Sequence, residues 1–187
     1  MTPTFQKCDG YLEGRTGTYD YRCRRYDAVI DVIMASEWGL RDTDTVADLG
    51  AGWTEFGHRL SERGFRGRYI PYDGAIDGKD LTYWQPPFAT LDWIVAIELL
   101  EHLHNAEQLV KTMLTKAEKG VVITTPNSMF VDTIAMDDDH VNPMFPKELQ
   151  EMGLEVELRT LFPGTPYLLD PEFPQDTILA YSIFRRK

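Results

Sequence analysis

The chain has 187 residues, of which 43% are hydrophobic and 26% are charged. This length predicts one domain with a buried core, and the composition excludes disordered, collagen-like and disulfide-scaffold proteins. The formal net charge of -11 disfavours an extended surface for binding nucleic acid. The basic cluster of Arg22, Arg24 and Arg25 is interpreted as a solvated helix face.

The cysteine pattern and the N-terminus both bear on the compartment. Cys8 and Cys23 have no metal-ligand spacing, and two cysteines in a chain of this length provide no disulfide framework, so a reducing compartment is expected. No signal-peptide pattern is present, and no run of about 18 apolar residues occurs. We therefore expect a cytoplasmic protein without membrane contact. Residues 1–187 are expected to form one domain, with 1–21 as an N-terminal segment and 22–187 as the core.

In chain order, the apolar pattern alternates between helix and strand spacing. A helix over 22–37 is predicted from an apolar stripe formed by Tyr26, Val29, Ile30, Ile33 and Met34. Buried strands are predicted over 45–50, 68–74, 91–98 and 120–126. The helices predicted between and after them cover 55–63, 105–117 and 146–152.

The tail has a different pattern. Residues 154–162 and 176–184 are largely apolar or alternating, and a loop rich in Pro and Gly separates them, which predicts two antiparallel strands. The whole pattern predicts an α/β, Rossmann-like fold. It would have a mostly parallel sheet, helices on both faces and a C-terminal antiparallel hairpin.

The first predicted strand ends in DLGAGWT, residues 48–54. Ligands of such sheets bind at the carboxyl ends of strands, and a glycine turn lets a ligand approach the backbone. A dinucleotide-binding loop has G-x-G-x-x-G, but Glu55 stands where the third glycine belongs. Together with Asp48 it would repel a pyrophosphate and attract a cation. S-adenosylmethionine carries two positive centres, an ammonium and a sulfonium.

These residues, followed by YDG, KDL and AIELLEHL, resemble the class I S-adenosylmethionine-dependent methyltransferases over roughly residues 45–160. In that family the glycine loop holds the methionine part of the cofactor, which places Asp48, Gly50 and Gly52 in the cofactor site. An acid after the second strand binds both ribose hydroxyls, and Asp73 stands there.

Asp80 and Leu81 resemble the segment of that family that contacts the adenine ring. The resemblance therefore implies S-adenosylmethionine as the cofactor.

A longer segment, LDWIVAIELLEHLHNAEQL, resembles the subgroup that contains ubiquinone-biosynthesis O-methyltransferases and small-RNA 2′-O-methyltransferases. Glu98, Glu101 and His102 form its E-x-x-E-H motif, and on a helical turn they would face one way. In those relatives this motif supplies metal ligands together with a later histidine, whose place His140 occupies. Glu98 is also assigned to the cofactor site.

Two interpretations of this motif remain open. Two carboxylates and two imidazoles can bind a divalent ion that polarises an acceptor hydroxyl. In the other interpretation, Glu98 and Glu101 stabilise a helix start and His102 is a polar residue with satisfied hydrogen bonds. Even without a metal, His102 or His140 can act as a general base. The residues predicted to be catalytic are Glu101, His102 and His140.

The resemblance implies an enzyme that methylates an oxygen of a small molecule or of an exposed nucleic-acid terminus. Residues 1–21 and 128–145 are expected to form the acceptor pocket. Neither segment contains a motif that identifies the acceptor, and the sequence does not indicate the oligomeric state. The alternative is a non-catalytic domain that binds S-adenosylmethionine or acts as a scaffold. A nicotinamide oxidoreductase conflicts with Glu55.

Overall fold

A computed structural model describes residues 19–74, 81–161, 169 and 175–184. Its strands are β1 (Thr45–Leu49), β2 (Arg68–Tyr72), β3 (Leu91–Ile97), β4 (Ala117–Pro126), β5 (Glu155–Arg159) and β6 (Thr177–Ile183). Its α-helices are α1 (Tyr19–Ala35), α2 (Glu55–Glu62), α3 (Ala106–Lys116), α4 (Thr133–Met136) and α5 (Pro146–Glu151). Two short 3-10 turns cover Leu81–Tyr83 and Leu100–His102.

The described strands form one sheet in the order β2-β1-β3-β4-β6-β5. β1 pairs with β2 and β3 in parallel, and β3 pairs with β4 in parallel. β6 is antiparallel to both β4 and β5. The predicted Rossmann-like sheet with a C-terminal antiparallel pair is confirmed, and the structure adds that β6 lies between β4 and β5.

Successive residues of each central strand face opposite sides of the sheet, so both faces carry apolar side chains. On one face Val46 and Val95 pack against α1 and α2. On the other, Ala47 and Ile94 pack against α3 and α5. The predicted arrangement of helices on both faces is therefore confirmed.

Most element boundaries differ from the sequence prediction by one to three residues. α1 begins at Tyr19 and ends at Ala35, and Met34, which was predicted to belong to the apolar stripe, is 53% exposed. β4 begins at Ala117, three residues earlier than predicted, because Ala117 pairs with Leu91 before an irregularity in the register, after which Gly120 pairs with Trp93. In the described ranges, no helix has the length and apolar character needed to cross a membrane.

Candidate functional site

The glycine bend after β1 is held against the end of β2. The amides of Gly50 and Ala51 both donate to the carbonyl oxygen of Tyr72, at 2.8 and 3.1 Å. Gly50 has φ +74°, and a Cβ added there would lie 3.0 Å from the Leu99 side chain. Glycine at position 50 therefore keeps open the space between the bend and the residues that follow β3.

Asp73 follows β2 and closes the other side of this bend. Its Oδ2 accepts a hydrogen bond from the amide of Gly52 at 2.8 Å. Leu81 is buried and lines the same cavity as Asp73. Asp80 lies outside the described residues, so its predicted contact with adenine stays a prediction.

Asp48 is the last polar residue of β1 and is only 2% exposed. The hydroxyl of Tyr69 donates to its Oδ2 at 2.5 Å. Burial raises the pKa of Asp48, the Tyr69 hydrogen bond opposes this shift, and the neighbouring charge of Asp73 adds to it, so that the pKa is about 7. The Asp48 carboxyl therefore titrates near neutral pH inside the cavity.

Glu55 is neutralised, contrary to the expectation that it would attract a cation. Arg22 donates to its two carboxylate oxygens from Nε at 2.6 Å and from Nη2 at 2.5 Å. Tyr26 adds a third hydrogen bond at 2.8 Å. Because this bidentate pair is buried, the charge of Glu55 is balanced within the protein.

The interpretation of the basic cluster as a solvated helix face was wrong for two of its three arginines. Arg22 is 5% exposed, and Arg25 is also largely buried, whereas Arg24 is exposed. Both inward-facing arginines line the cavity. The sequence already contained the pattern that places Arg22 inside, because residue 22 lies four positions before the buried Tyr26.

Glu98 stands directly after β3 with φ +52°, a left-handed conformation that is uncommon for a residue with a side chain. Arg25 Nη1 lies 3.1 Å from its Oε2. The following 3-10 turn begins only at Leu100, so the predicted helical turn that would align Glu98 with Glu101 and His102 does not form. Glu98 consequently faces α1.

Glu101, His102 and His140 come together beyond this turn. Each offers a ligand atom, and these atoms all lie within 4.8 Å of one another. Three of the four predicted metal ligands are thus gathered, and Glu98 lies outside the group.

The carboxylate of Glu101 is 1% exposed and is positioned by one strand neighbour. Thr125, near the end of β4, donates to Oε2 at 2.9 Å. Oε1 is buried and makes no hydrogen bond to any described residue. Burial raises the pKa of Glu101 well above its ordinary value, and the charge of Glu98 adds to this shift.

The two histidines each face a backbone carbonyl through Nδ1. His140 Nδ1 lies 2.6 Å from the oxygen of Thr133, and His102 Nδ1 lies 3.3 Å from that of Asp139. Because a carbonyl oxygen can only accept, Nδ1 is the donor in both contacts, and in the neutral form of each ring the lone pair is at Nε2. Burial and the nearby His140 lower the pKa of His102, which favours the neutral ring.

Most of these groups border one cavity of about 540 Å³ at the carboxyl ends of the parallel strands. The glycine bend, Asp73 and Leu81 line one part, and Glu101, His102 and His140 line another. The sequence placed these residues in one site, and the structure brings them together. Two further lining residues, Arg22 and Arg25, were missed because their charges suggested solvent exposure.

Comparison with solved structures identifies the fold. A SAM-dependent methyltransferase from Archaeoglobus fulgidus aligns with a TM-score of 0.66 at 18% identity, covering 94% of this chain and 100% of that one. The plantazolicin methyltransferase in complex with SAH aligns at 0.62 and 10% identity, covering 90% and 85%.

The small RNA methyltransferase HEN1 aligns with a TM-score of 0.59 and 12% identity, covering 92% of this chain and 27% of that one. No model of a protein family matches the sequence, and no curated protein does. The chain therefore has the class I fold of S-adenosylmethionine-dependent methyltransferases.

Proposed function

We propose that this protein is an S-adenosylmethionine-dependent methyltransferase that methylates an oxygen with the help of a divalent metal ion. The acceptor would be a small molecule or an exposed nucleic-acid terminus. One observation carries the proposal: the glycine bend, the Asp73 carboxylate and the Glu101–His102–His140 cluster border a single cavity. A donor site and a site for activating an acceptor are thus adjacent.

The bend and the acids around it suit the donor. When bound, S-adenosylmethionine supplies a methyl group on a positively charged sulfur. Asp73 can accept hydrogen bonds from both hydroxyls of a ribose, since one carboxylate has two acceptor oxygens. Gly50 leaves the backbone open to close approach. The ionised form of Asp48 adds a negative charge that favours a cationic ligand.

The three clustered side chains fit a divalent cation. The buried Oε1 of Glu101, without a hydrogen-bond partner among the described residues, needs a compensating positive charge or donor. The two Nε2 lone pairs complete the set, and a carbonyl behind each Nδ1 is the usual support of a histidine ligand. A metal bound there would lower the pKa of an acceptor hydroxyl.

If no metal is bound, the same residues can instead move the acceptor's proton, because the Nε2 lone pair of His102 binds either a metal or a proton. A neutral His102 is partly exposed to the cavity and can accept a proton at Nε2. The surrounding walls orient donor and acceptor, and such alignment supplies much of the rate enhancement in a two-substrate transfer.

The solved structures do not indicate one class of acceptor. One of the aligned enzymes is named a plantazolicin methyltransferase, and another is named a small RNA methyltransferase. The assay therefore measures S-adenosylhomocysteine formation with hydroxylated aromatic compounds and with short RNAs that have free termini. We expect turnover with at least one acceptor, loss of turnover with EDTA, and recovery with Mg²⁺ or Mn²⁺.

Turnover that survives rigorous chelation would contradict metal assistance and leave His102 as general base. Binding of S-adenosylhomocysteine by calorimetry, with no turnover on any acceptor, would instead favour the non-catalytic binding domain. Failure to bind S-adenosylhomocysteine at all would refute the cofactor assignment.

A further inference from the structure

Apolar side chains line the cavity beside the Glu101–His102–His140 cluster. Leu103 directly follows the first histidine of the cluster, and Pro126 follows the threonine that donates to its carboxylate. Met136 ends α4, the helix whose first carbonyl faces the later histidine. Because apolar walls gain free energy only by covering apolar surface, this part of the cavity favours an acceptor with an apolar body.

Two carboxylates line the same cavity from the loop before His140. Asp137 and Asp139 are exposed and border the cavity, whereas Asp138 between them is not among the lining residues. Asp137 accepts the amide of Asp139 through Oδ1 at 3.0 Å and the amide of His140 through its carbonyl oxygen at 3.1 Å. These contacts hold the loop in place next to the cluster.

The charges of both carboxylates act on the cluster. Burial and His140 lower the pKa of His102, and the charges of Asp137 and Asp139 oppose this shift. Both carboxylates are therefore close enough to attract or repel a charged group that is bound beside the His102 ring.

Little positive charge in the described part of the cavity offsets these carboxylates. The two arginines that line it, Arg22 and Arg25, pair with Glu55 and Glu98. Glu101 would balance part of the charge of a divalent ion, and the rest would not outweigh the two exposed aspartates. This end of the cavity therefore keeps an excess of negative charge, which attracts a cationic group and repels a phosphate.

Burial separates an inner and an outer end of this part of the cavity. Glu101 is 1% exposed and His140 is 9% exposed, whereas Asp137 and Asp139 lie at the surface. The buried Oε1 of Glu101 has no hydrogen-bond partner among the described residues, which indicates that a ligand occupies the inner end. A group that reaches the inner end thus passes the two aspartates.

We propose that the acceptor is an amphipathic small molecule with a hydroxyl at the Glu101–His102–His140 cluster, an apolar body along the adjoining wall and a protonated amine beside Asp137 and Asp139. This inference rests on the proposed function, because it chooses between the two acceptor classes considered there. A nucleic-acid terminus has a phosphate close to its hydroxyl and would bring that anion up to the same carboxylates.

The test compares three phenols of similar size that differ in charge. Tyramine carries an ammonium, 4-ethylphenol is neutral, and 4-hydroxyphenylacetate carries a carboxylate. Nuclear magnetic resonance titrations give their affinities for the full chain in the presence of S-adenosylhomocysteine and Mg²⁺, so that no turnover is required. A short RNA with free termini is the fourth ligand.

The variants are Asp137→Asn and Asp139→Asn, made singly and together. Asparagine keeps the size of the side chain and an acceptor oxygen, so the loop retains its hydrogen bonds. Asp138→Asn is the matched control, because Asp138 belongs to the same exposed run and is not among the residues that line the cavity.

We expect tyramine to bind most tightly and 4-hydroxyphenylacetate most weakly. Each single substitution should weaken tyramine binding about twofold to fivefold, because one exposed charge pair contributes little, and the double variant should weaken it about tenfold. The affinity for 4-ethylphenol should stay the same in every variant, which shows that the site is still folded. Added salt should reduce the preference for tyramine.

Equal affinities for the three phenols would overturn this assignment of the acceptor while leaving the proposed function intact. The same holds for tighter binding of RNA than of tyramine, for no binding of any of the four ligands, and for an equal loss of tyramine affinity in Asp138→Asn. Calorimetry of the unchanged protein with S-adenosylhomocysteine tests the proposed function separately, since failure to bind this nucleoside contradicts the cofactor assignment itself.

Discussion

The amide of Gly52 donates a hydrogen bond to the Asp73 carboxylate across 2.8 Å. This contact joins the loop after β1 to the residue after β2, so the glycine bend and the predicted ribose acid form one unit. The carboxylate is fixed in place before any ligand arrives, which reduces the ordering cost of binding.

Replacing Asp73 with Ala should weaken binding of S-adenosylhomocysteine by on the order of tenfold to a hundredfold, because two hydrogen bonds to a charged acceptor are lost. Calorimetry measures this change. Asp138→Ala is the control, since Asp138 is exposed and is not among the residues that line the cavity. Equal losses in both variants would refute the role of Asp73.

Thr125→Val should reduce the affinity for Mn²⁺ by about tenfold or more, because groups that orient a metal ligand contribute that much to binding. The hydroxyl of Thr125 holds Glu101 at 2.9 Å, and valine has the same shape without the hydrogen bond. Titration of Mn²⁺ monitored by electron paramagnetic resonance gives the affinity without relying on turnover.

Glu101→Gln should weaken the same Mn²⁺ binding more strongly than Thr125→Val, because it removes the charge of a ligand. The matched control is His104→Ala, since His104 is exposed and lies outside the Glu101–His102–His140 cluster. Mn²⁺ binding that is unchanged in Glu101→Gln would rule out this cluster as the metal site.

The stability of the protein should depend on pH through Asp48. Its folded-state pKa is about 7 against an ordinary value of 3.8, so between these values the folded state holds a proton that the unfolded state has lost. The contribution of Asp48 to the free energy of unfolding therefore falls as pH rises from about 4 to about 7, and levels off above.

Thermal melts of the unchanged protein and of Asp48→Asn measure this effect. The difference in Tm, unchanged protein minus variant, should decrease as pH rises across that interval, because asparagine does not titrate. A difference that stays constant or increases with pH would contradict the raised pKa.

Gly50→Ala should lower stability by about 1–2 kcal/mol, since alanine is strained at positive φ, and should also weaken binding of S-adenosylhomocysteine. The added methyl group would press against Leu99 and narrow the cavity. Gly153→Ala is the control: Gly153 also has positive φ, but open space surrounds it. Chemical denaturation should show a loss for both, whereas calorimetry should show weaker binding for Gly50→Ala alone.

The amino-acid sequence by itself determined the local structure and the order of the elements. Apolar side chains at spacings of two and of three to four residues fix which segments become strands and helices. Gly50 and Gly52 indicate a bend in the chain, because glycine adopts positive φ without the steric strain that a side chain causes. The spacing of Glu101, His102 and His140 indicated a cluster through resemblance to related enzymes, and the structure gathers these three residues.

Only the tertiary structure decided which elements become neighbours and which charges turn inward. The apolar pattern of β6 is the same whether it pairs with β4, with β5 or with both, and the observed place between them follows from packing over the whole sheet. Arg22 and Arg25 face the cavity because Glu55 and Glu98 compensate their charges there. Glu98 has a left-handed backbone conformation, and its side chain does not join the other three predicted metal ligands. Such contacts join residues far apart in the chain, so local periodicity alone cannot determine them.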